Sequence, residues 1–156
     1  MVAMAAVELR QSSVAGMRRT SYLVKRVEVG VRVMLDAALR RYGLTSGQYL
    51  LLSQVSRQGG LSSAELARRL SVTPQSMNES IATLEQKRLV RRTEDRTNRR
   101  ILLIGLTREG RRVLAACDKA VDTAEDDYFA ALAPAKLAAL RDLLAALLDH
   151  GAGPAV

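Results

Sequence analysis

The chain has no tryptophan, one phenylalanine and four tyrosines in 156 residues. A core without large rings must close on Leu, Val, Ile and Ala, which suits packed helices better than a β-sandwich. Cysteine is almost missing as well. The single Cys117 rules out an intramolecular disulfide framework and fits a reducing compartment. One histidine, His150, stands at the expected end of a helix, so a His/Cys metal site has too few ligands. No Gly-rich phosphate loop is present, and the clustered carboxylates Asp122, Glu125, Asp126 and Asp127 read as the solvated face of one helix. These absences argue against an enzyme and imply neither cofactor nor metal. No apolar run approaches the roughly 18 residues of a membrane helix. The opening MVAMAAVELRQSS lacks the basic start of a signal peptide, so the expectation is a soluble, cytoplasmic protein.

Positive charge is abundant, and it is concentrated. The formal net charge is +8. Residues 86–112 carry ten Lys/Arg against three Asp/Glu, a net of +7, whereas residues 113–156 are net −4. RRTEDRTNRR, residues 91–100, holds five arginines and runs straight into the apolar ILLIGL. A basic patch on one part of a chain is the electrostatic footprint of a polyanion binder. A generally basic surface would spread the charge evenly.

Hydrophobic spacing organises the rest. Leu23, Val27, Val31, Met34, Leu35, Ala38 and Leu39 form one stripe on a long helix ending at Gly43. Thr45 to Gln48 reads as a capping box for a second helix that stops at Gly59-Gly60. Ser62 to Glu65 is another, opening a short helix through ELARRL. After a tight break, Thr73 is an N-cap and Pro74 sits at N1 of a helix reaching about Lys87. Met77, Ile81 and Leu84 form its inner stripe; Gln75, Glu79, Ala82 and Gln86 lie opposite. Extended segments 89–92 and 101–104 flank the basic decamer as a hairpin. Thr107 caps a long helix towards Tyr128, and Pro134 begins a last one bearing a leucine ladder.

Two short helices across a tight turn make a helix-turn-helix, whose second helix can enter a DNA major groove. A basic hairpin directly beyond it is a wing, with arginines able to reach phosphates or the minor groove. The stretch SSAELARRLSVTPQSMNESIATLEQKRLVRR followed by NRRILLIGLTREG resembles the winged-helix core of the MarR family of bacterial transcriptional regulators. With its flanking helices, the resemblance covers residues from about 20 to 150. It implies a mainly α fold of about six helices with a two-stranded β wing. Residues 20–43 and 107–150 would be dimerisation helices, 44–106 the DNA-binding region, 1–19 an N-terminal extension and 151–156 a tail.

What the resemblance implies for single residues follows its motifs. Gln75, Ser76 and Asn78, at the start of the recognition helix, are expected on bases or phosphates. Thr73 is a cap with a phosphate contact as a second use. Ser62 and Ser63 either only cap their helix or hold a phosphate at its N-terminus. Three positions depart from the family pattern. Glu79 replaces a frequent arginine, and either reads a cytosine amine or lowers affinity. Arg88 replaces a helix-ending glycine, and must take a left-handed conformation or extend the helix. Asn98 replaces the acid of the wing tip, which loosens the wing unless Asp95 substitutes. Arg96 and Arg99 are the expected DNA contacts, with Arg100 a brace, and alternation along the return strand would place Arg99 and Arg100 on opposite faces. Cys117 is expected to be an inert helical thiol.

Leu23, Val27, Leu137, Leu140, Leu144 and Leu147 are expected at a homodimer interface. The resemblance implies a repressor on a pseudo-palindromic duplex operator, released by a small phenolic or acidic effector whose binding residues stay unassigned. The alternative is a non-specific architectural DNA-binding protein.

Overall fold

A computed structural model describes residues 19–151. The expected extension, 1–19, and tail, 151–156, lie outside the described residues except at their inner ends. In chain order the described residues form α1 (Thr20–Leu39), a 3-10 turn (Arg40–Tyr42), α2 (Ser46–Gln58), β1 (Leu61–Ser62), α3 (Ser63–Arg69), α4 (Pro74–Gln86), β2 (Val90–Glu94), β3 (Leu102–Leu106), α5 (Arg108–Tyr128) and α6 (Pro134–Gly151).

Local chemistry explains the boundaries. Gly43 turns left-handed at φ 65° and closes the 3-10 turn. The Thr45 and Ser62 capping boxes both form, with Gln48 and Glu65 reaching back to the cap amides. Thr73 accepts from the Ser76 amide, with Pro74 beside it at the first helical position. Helices α3 and α4 both end on a left-handed residue that is not glycine: Ser71 at φ 53° and Arg88 at φ 58°. In each, the next amide reaches back five residues, Val72 to the Ala67 carbonyl at 3.0 Å and Leu89 to the Leu84 carbonyl at 2.9 Å. This Schellman closure, with Leu89 and Leu84 both buried, holds the strained residue in place. Arg88 therefore takes the left-handed option and does not extend its helix.

The sheet is antiparallel in the order β1-β3-β2. Its third strand is a correction to the two-stranded wing: Leu61 pairs with Ile104 and Ser62 with Leu103. Two residues carry no readable alternation, so this strand is invisible to periodicity. The hairpin strands also sit further along than 89–92 and 101–104, pairing Val90 with Leu106 and Glu94 with Leu102.

One aliphatic core joins the parts. Leu39, Leu51, Leu52, Leu66, Ile81, Leu84, Ile104 and Cys117 are fully buried. It thus draws on α1, α2, the helix-turn-helix, the wing root and α5, and is continuous across the expected division into dimerisation and DNA-binding parts. Asp36 of α1 accepts from the Ser46 amide at 2.7 Å, and Tyr42 donates to the Ala116 carbonyl at 3.0 Å, so α1, α2 and α5 are also tied by polar bonds. Helix α6 stands apart. It buries no side chain fully, and Leu147 and Leu148 are 61% and 74% exposed. No helix among the described residues is long and apolar enough to cross a membrane.

The tightest junction is at Gly110. A Cβ built there would lie 1.9 Å from the Leu89 carbonyl oxygen, which is backbone and cannot swing away. Gly110→Ala is expected to lower stability by about 1–3 kcal/mol through overpacking. The Gly47→Ala control, whose Cβ would meet nothing nearer than 4.0 Å, is expected to be neutral or stabilising by up to about 1 kcal/mol. Urea midpoints at unchanged slope measure both.

Candidate nucleic-acid interface

Helix α4 presents Gln75, Asn78, Glu79 and Ala82 on one exposed face, at helical spacings of three and four residues. Its opposite stripe, Met77, Ile81 and Leu84, is buried. The polar groups of the exposed face are bonded to one another and to α3. Gln75 Nε2 donates to Glu79 Oε1 at 3.1 Å, and Ser63 Oγ donates to Asn78 Oδ1 at 2.6 Å. Ser62 is partly buried and its hydroxyl donates back to Glu65 at 2.6 Å. Ser76 gives its amide to Thr73. Its side chain borders a cleft of about 310 Å³ between α2 and the helix-turn-helix, with Leu50, Val72 and Ser80.

The wing differs from expectation in two ways and meets it in a third. The return strand starts at Leu102, so Arg99 and Arg100 belong to the turn and strand alternation does not sort them. Arg100, expected as the brace, has no side-chain partner among the described residues. Arg99 is the one that bonds, its Nε donating to Glu94 Oε2 at 2.9 Å, with both groups well exposed. The tip, finally, is bonded despite Asn98. Asp95 accepts from the Thr97 amide at 2.6 Å, the Asn98 amide at 3.0 Å and the Thr97 hydroxyl. Asn98 contributes by accepting from the Arg100 amide at 3.2 Å. Asp95 therefore does substitute for the missing acid, as an Asx turn in place of an ion pair. The Thr97 hydroxyl, then the Asn98 and Thr97 amides, hold its carboxyl below the ordinary 3.8.

Half of the basic patch is bonded within the fold. Of the ten Lys/Arg in 86–112, five carry internal bonds. Lys87 reaches the Gly43 carbonyl, Arg92 Glu85, Arg99 Glu94, Arg111 the Leu106 carbonyl and Arg112 Glu109. Arg88, Arg91, Arg96, Arg100 and Arg108 have no side-chain partner among the described residues. The Arg92–Glu85 pair, at 3.1 Å, joins β2 to the end of α4 and was not anticipated. Its seven-residue separation crosses a helix end, so no helical or strand spacing signals it.

Away from this face, Cys117 is fully buried. Burial, and then the nearby Asp118 charge, push its thiol up to about 11, which keeps it unreactive near neutral pH. Tyr49 donates to Asp118 at 2.9 Å; burial and that bond push its hydroxyl up to about 12. A crevice of about 590 Å³ runs between α1 and α5, with Arg41 and Lys119 on its walls. The acidic residues of α5 do not gather: among the described residues, no group of three or more His, Cys, Asp or Glu could hold a metal ion.

A capped helix pair, a recognition-type second helix with an exposed polar face and an adjoining basic hairpin define a winged helix-turn-helix protein. The sequence model of the MarR family matches residues 42–101. The HTH-type transcriptional repressor Rv2887 of Mycobacterium tuberculosis is 39% identical over 111 residues, covering 71% of this chain and 80% of that protein. The crystal structure of a MarR-family transcriptional regulator from Rhodococcus sp. RHA1 superposes with a TM-score of 0.77 at 29% identity, over 83% of this chain and 95% of that one. Rv2887 in complex with salicylic acid gives 0.72 at 34% identity, over 85% and 98%. The chain belongs to the MarR family and is a DNA-binding transcriptional regulator.

The wing tip has its own test. Asp95→Ala is expected to remove hydrogen-exchange protection from the Thr97 and Asn98 amides while leaving the global unfolding midpoint unmoved. Because the Asp95 pKa is lowered, the unmutated tip keeps these bonds at neutral pH and loses them only as pH falls through a value under 3.8. Amide exchange followed by NMR reads both effects.

Proposed function

We propose that the protein is a homodimeric, effector-responsive repressor in the cytoplasm that binds a pseudo-palindromic operator. Residues 44–106 engage DNA; 20–43 and 107–150 hold the two subunits together. The observation that carries this reading is the exposed α4 face, Gln75, Asn78 and Glu79, beside a wing whose Arg96 and Arg100 side chains have no partner among the described residues. Helix α4 lies in the major groove, and Arg96, Arg99 and Arg100 meet phosphates or the minor groove. Arg99 exchanges Glu94 for phosphate, since an exposed ion pair is weak. Thr73 and Ser76 approach the backbone beside the N-terminus of α4. Ser62, already bonded within its capping box, contributes the helix N-terminus it caps.

Two exposed apolar surfaces support the dimer. Leu23 and Val27 on α1 are 50% and 49% exposed, and Leu144 and Leu147 on α6 are also open. Leu137 and Leu140 are partly buried at the other end of α6. An 18-residue helix that buries no side chain fully among the described residues is marginal alone, and a patch of this kind is satisfied by a second copy. Two α4 helices then address half-sites roughly one helical turn apart. The α1–α5 crevice is suited to the effector. Its two cations, Arg41 and Lys119, outnumber the one carboxylate on its walls, Asp127, which favours an acidic aromatic of the salicylate kind, as bound by Rv2887. An effector wedged between these helices changes the distance between the two recognition helices and so the affinity for DNA.

Arg99→Ala is expected to weaken binding to all duplexes and to reduce the slope of log K against log salt by about one; an unchanged slope removes the phosphate assignment. Leu147→Glu is expected to shift the protein from dimer to monomer in sedimentation and to weaken operator binding. A dimer that persists would relocate the interface away from α6.

A further inference from the structure

The internal bonds of the α4 face do more than tidy it, because each one fixes which way an amide is turned. An asparagine or glutamine amide offers a carbonyl acceptor on one side and an NH₂ donor on the other. Ser63 donates to Asn78 Oδ1 at 2.6 Å, so the carbonyl of Asn78 is turned towards α3 and its Nδ2 points away from it. In Gln75 the amide is used in the opposite sense. One Nε2 hydrogen goes to Glu79 Oε1 at 3.1 Å, so the pair keeps Gln75 Oε1 and Glu79 Oε2 as acceptors with no partner among the described residues, beside one remaining Nε2 hydrogen. Residues 75 and 79 are thus mainly an acceptor edge, and residue 78, beside them on the same exposed face, turns its donor end outward from α3.

We propose that Ser63 is a positioning residue for base recognition: through its bond to Asn78 it sets the donor–acceptor polarity that α4 presents to the major groove. The half-site then carries an amino-bearing base, cytosine or adenine, opposite the Gln75–Glu79 edge. Opposite Asn78 it carries an acceptor, the O6 or N7 of guanine or the O4 of thymine. A freely rotating asparagine would favour adenine by turning both ends of its amide to one base; Ser63 holds the carbonyl towards α3, and although that oxygen keeps a second lone pair, the orientation disfavours the bidentate pairing. The same bond commits the Ser63 hydroxyl proton, so Ser63 acts through Asn78 and not as a phosphate donor. This assignment rests on the reading that α4 enters the major groove.

The test is selection of bound sequences from a pool of duplexes with a randomised centre, using the full chain and three variants. Wild type is expected to prefer guanine or thymine at the Asn78 position by on the order of tenfold. Ser63→Ala releases the amide, and preference at that one position is expected to fall towards parity or pass to adenine while the other positions hold. Ser63→Thr keeps the hydroxyl and is expected to keep the wild-type preference, which a merely structural role for the side chain would not require. Asn78→Asp still accepts from Ser63 but offers only acceptors, so the preference at that position is expected to switch to cytosine or adenine. A clear wild-type sequence that Ser63→Ala and Asn78→Asp both leave unchanged would overturn the polarity assignment alone. A wild-type pool with no preferred sequence would overturn the operator reading and this assignment with it.

Discussion

Four elements meet at the Leu89 carbonyl, and the geometry of the DNA-binding face depends on that meeting. The Thr107 amide donates to it at 3.0 Å, and the Thr107 hydroxyl donates to it at 3.2 Å and to the Arg88 carbonyl at 2.7 Å. The same hydroxyl oxygen accepts from the Gly110 amide at 2.9 Å and so caps α5. Gly110 lies against the carbonyl closely enough that no side chain fits. One threonine and one glycine thereby fasten the end of α4, the root of both wing strands and the start of α5. A recognition helix and a wing can act as one surface only if their angle is fixed, and this knot fixes it.

Electrostatics on that surface is more economical than net charge suggests. Half of the cations in the basic segment serve the fold itself, as Lys87 does on the Gly43 carbonyl and Arg92 does on Glu85. Such exposed pairs contribute little to stability, but they orient long side chains that would otherwise sample many rotamers. The cations left over lie on the wing and its flanks, and the carboxylates among them, Glu79 and Glu94, each already hold a polar partner of the same face. Acidic groups here order the donors around them, so their presence in a polyanion-binding surface is consistent with selective binding over indiscriminate attraction.

Much of the fold was legible because its signals are local. Capping boxes at Thr45 and Ser62, the Thr73-Pro74 start and the Thr107 cap all form as their spacing predicts, since each is completed within four residues. The misses share a different cause. Strand β1 is two residues long and exists only because β3 lies beside it. That Arg99 and not Arg100 bonds within the wing follows from where the hairpin turns, which depends on Asp95 gathering the tip. The Ser63–Asn78 bond spans fifteen residues and requires α3 and α4 to be already crossed.

The sequence by itself determined the helices, their caps, the helix-turn-helix followed by a basic hairpin, and an aliphatic core able to close without large rings. Those are properties of neighbours along the chain, where propensity, period and capping act within a turn or two. Only the tertiary structure decided which arginines pair within the fold, which way each recognition amide is turned, and that most of the α6 leucine ladder is left exposed among the described residues. Each of these depends on which distant groups are brought within hydrogen-bond or van der Waals reach, and that distance is set by packing the whole core.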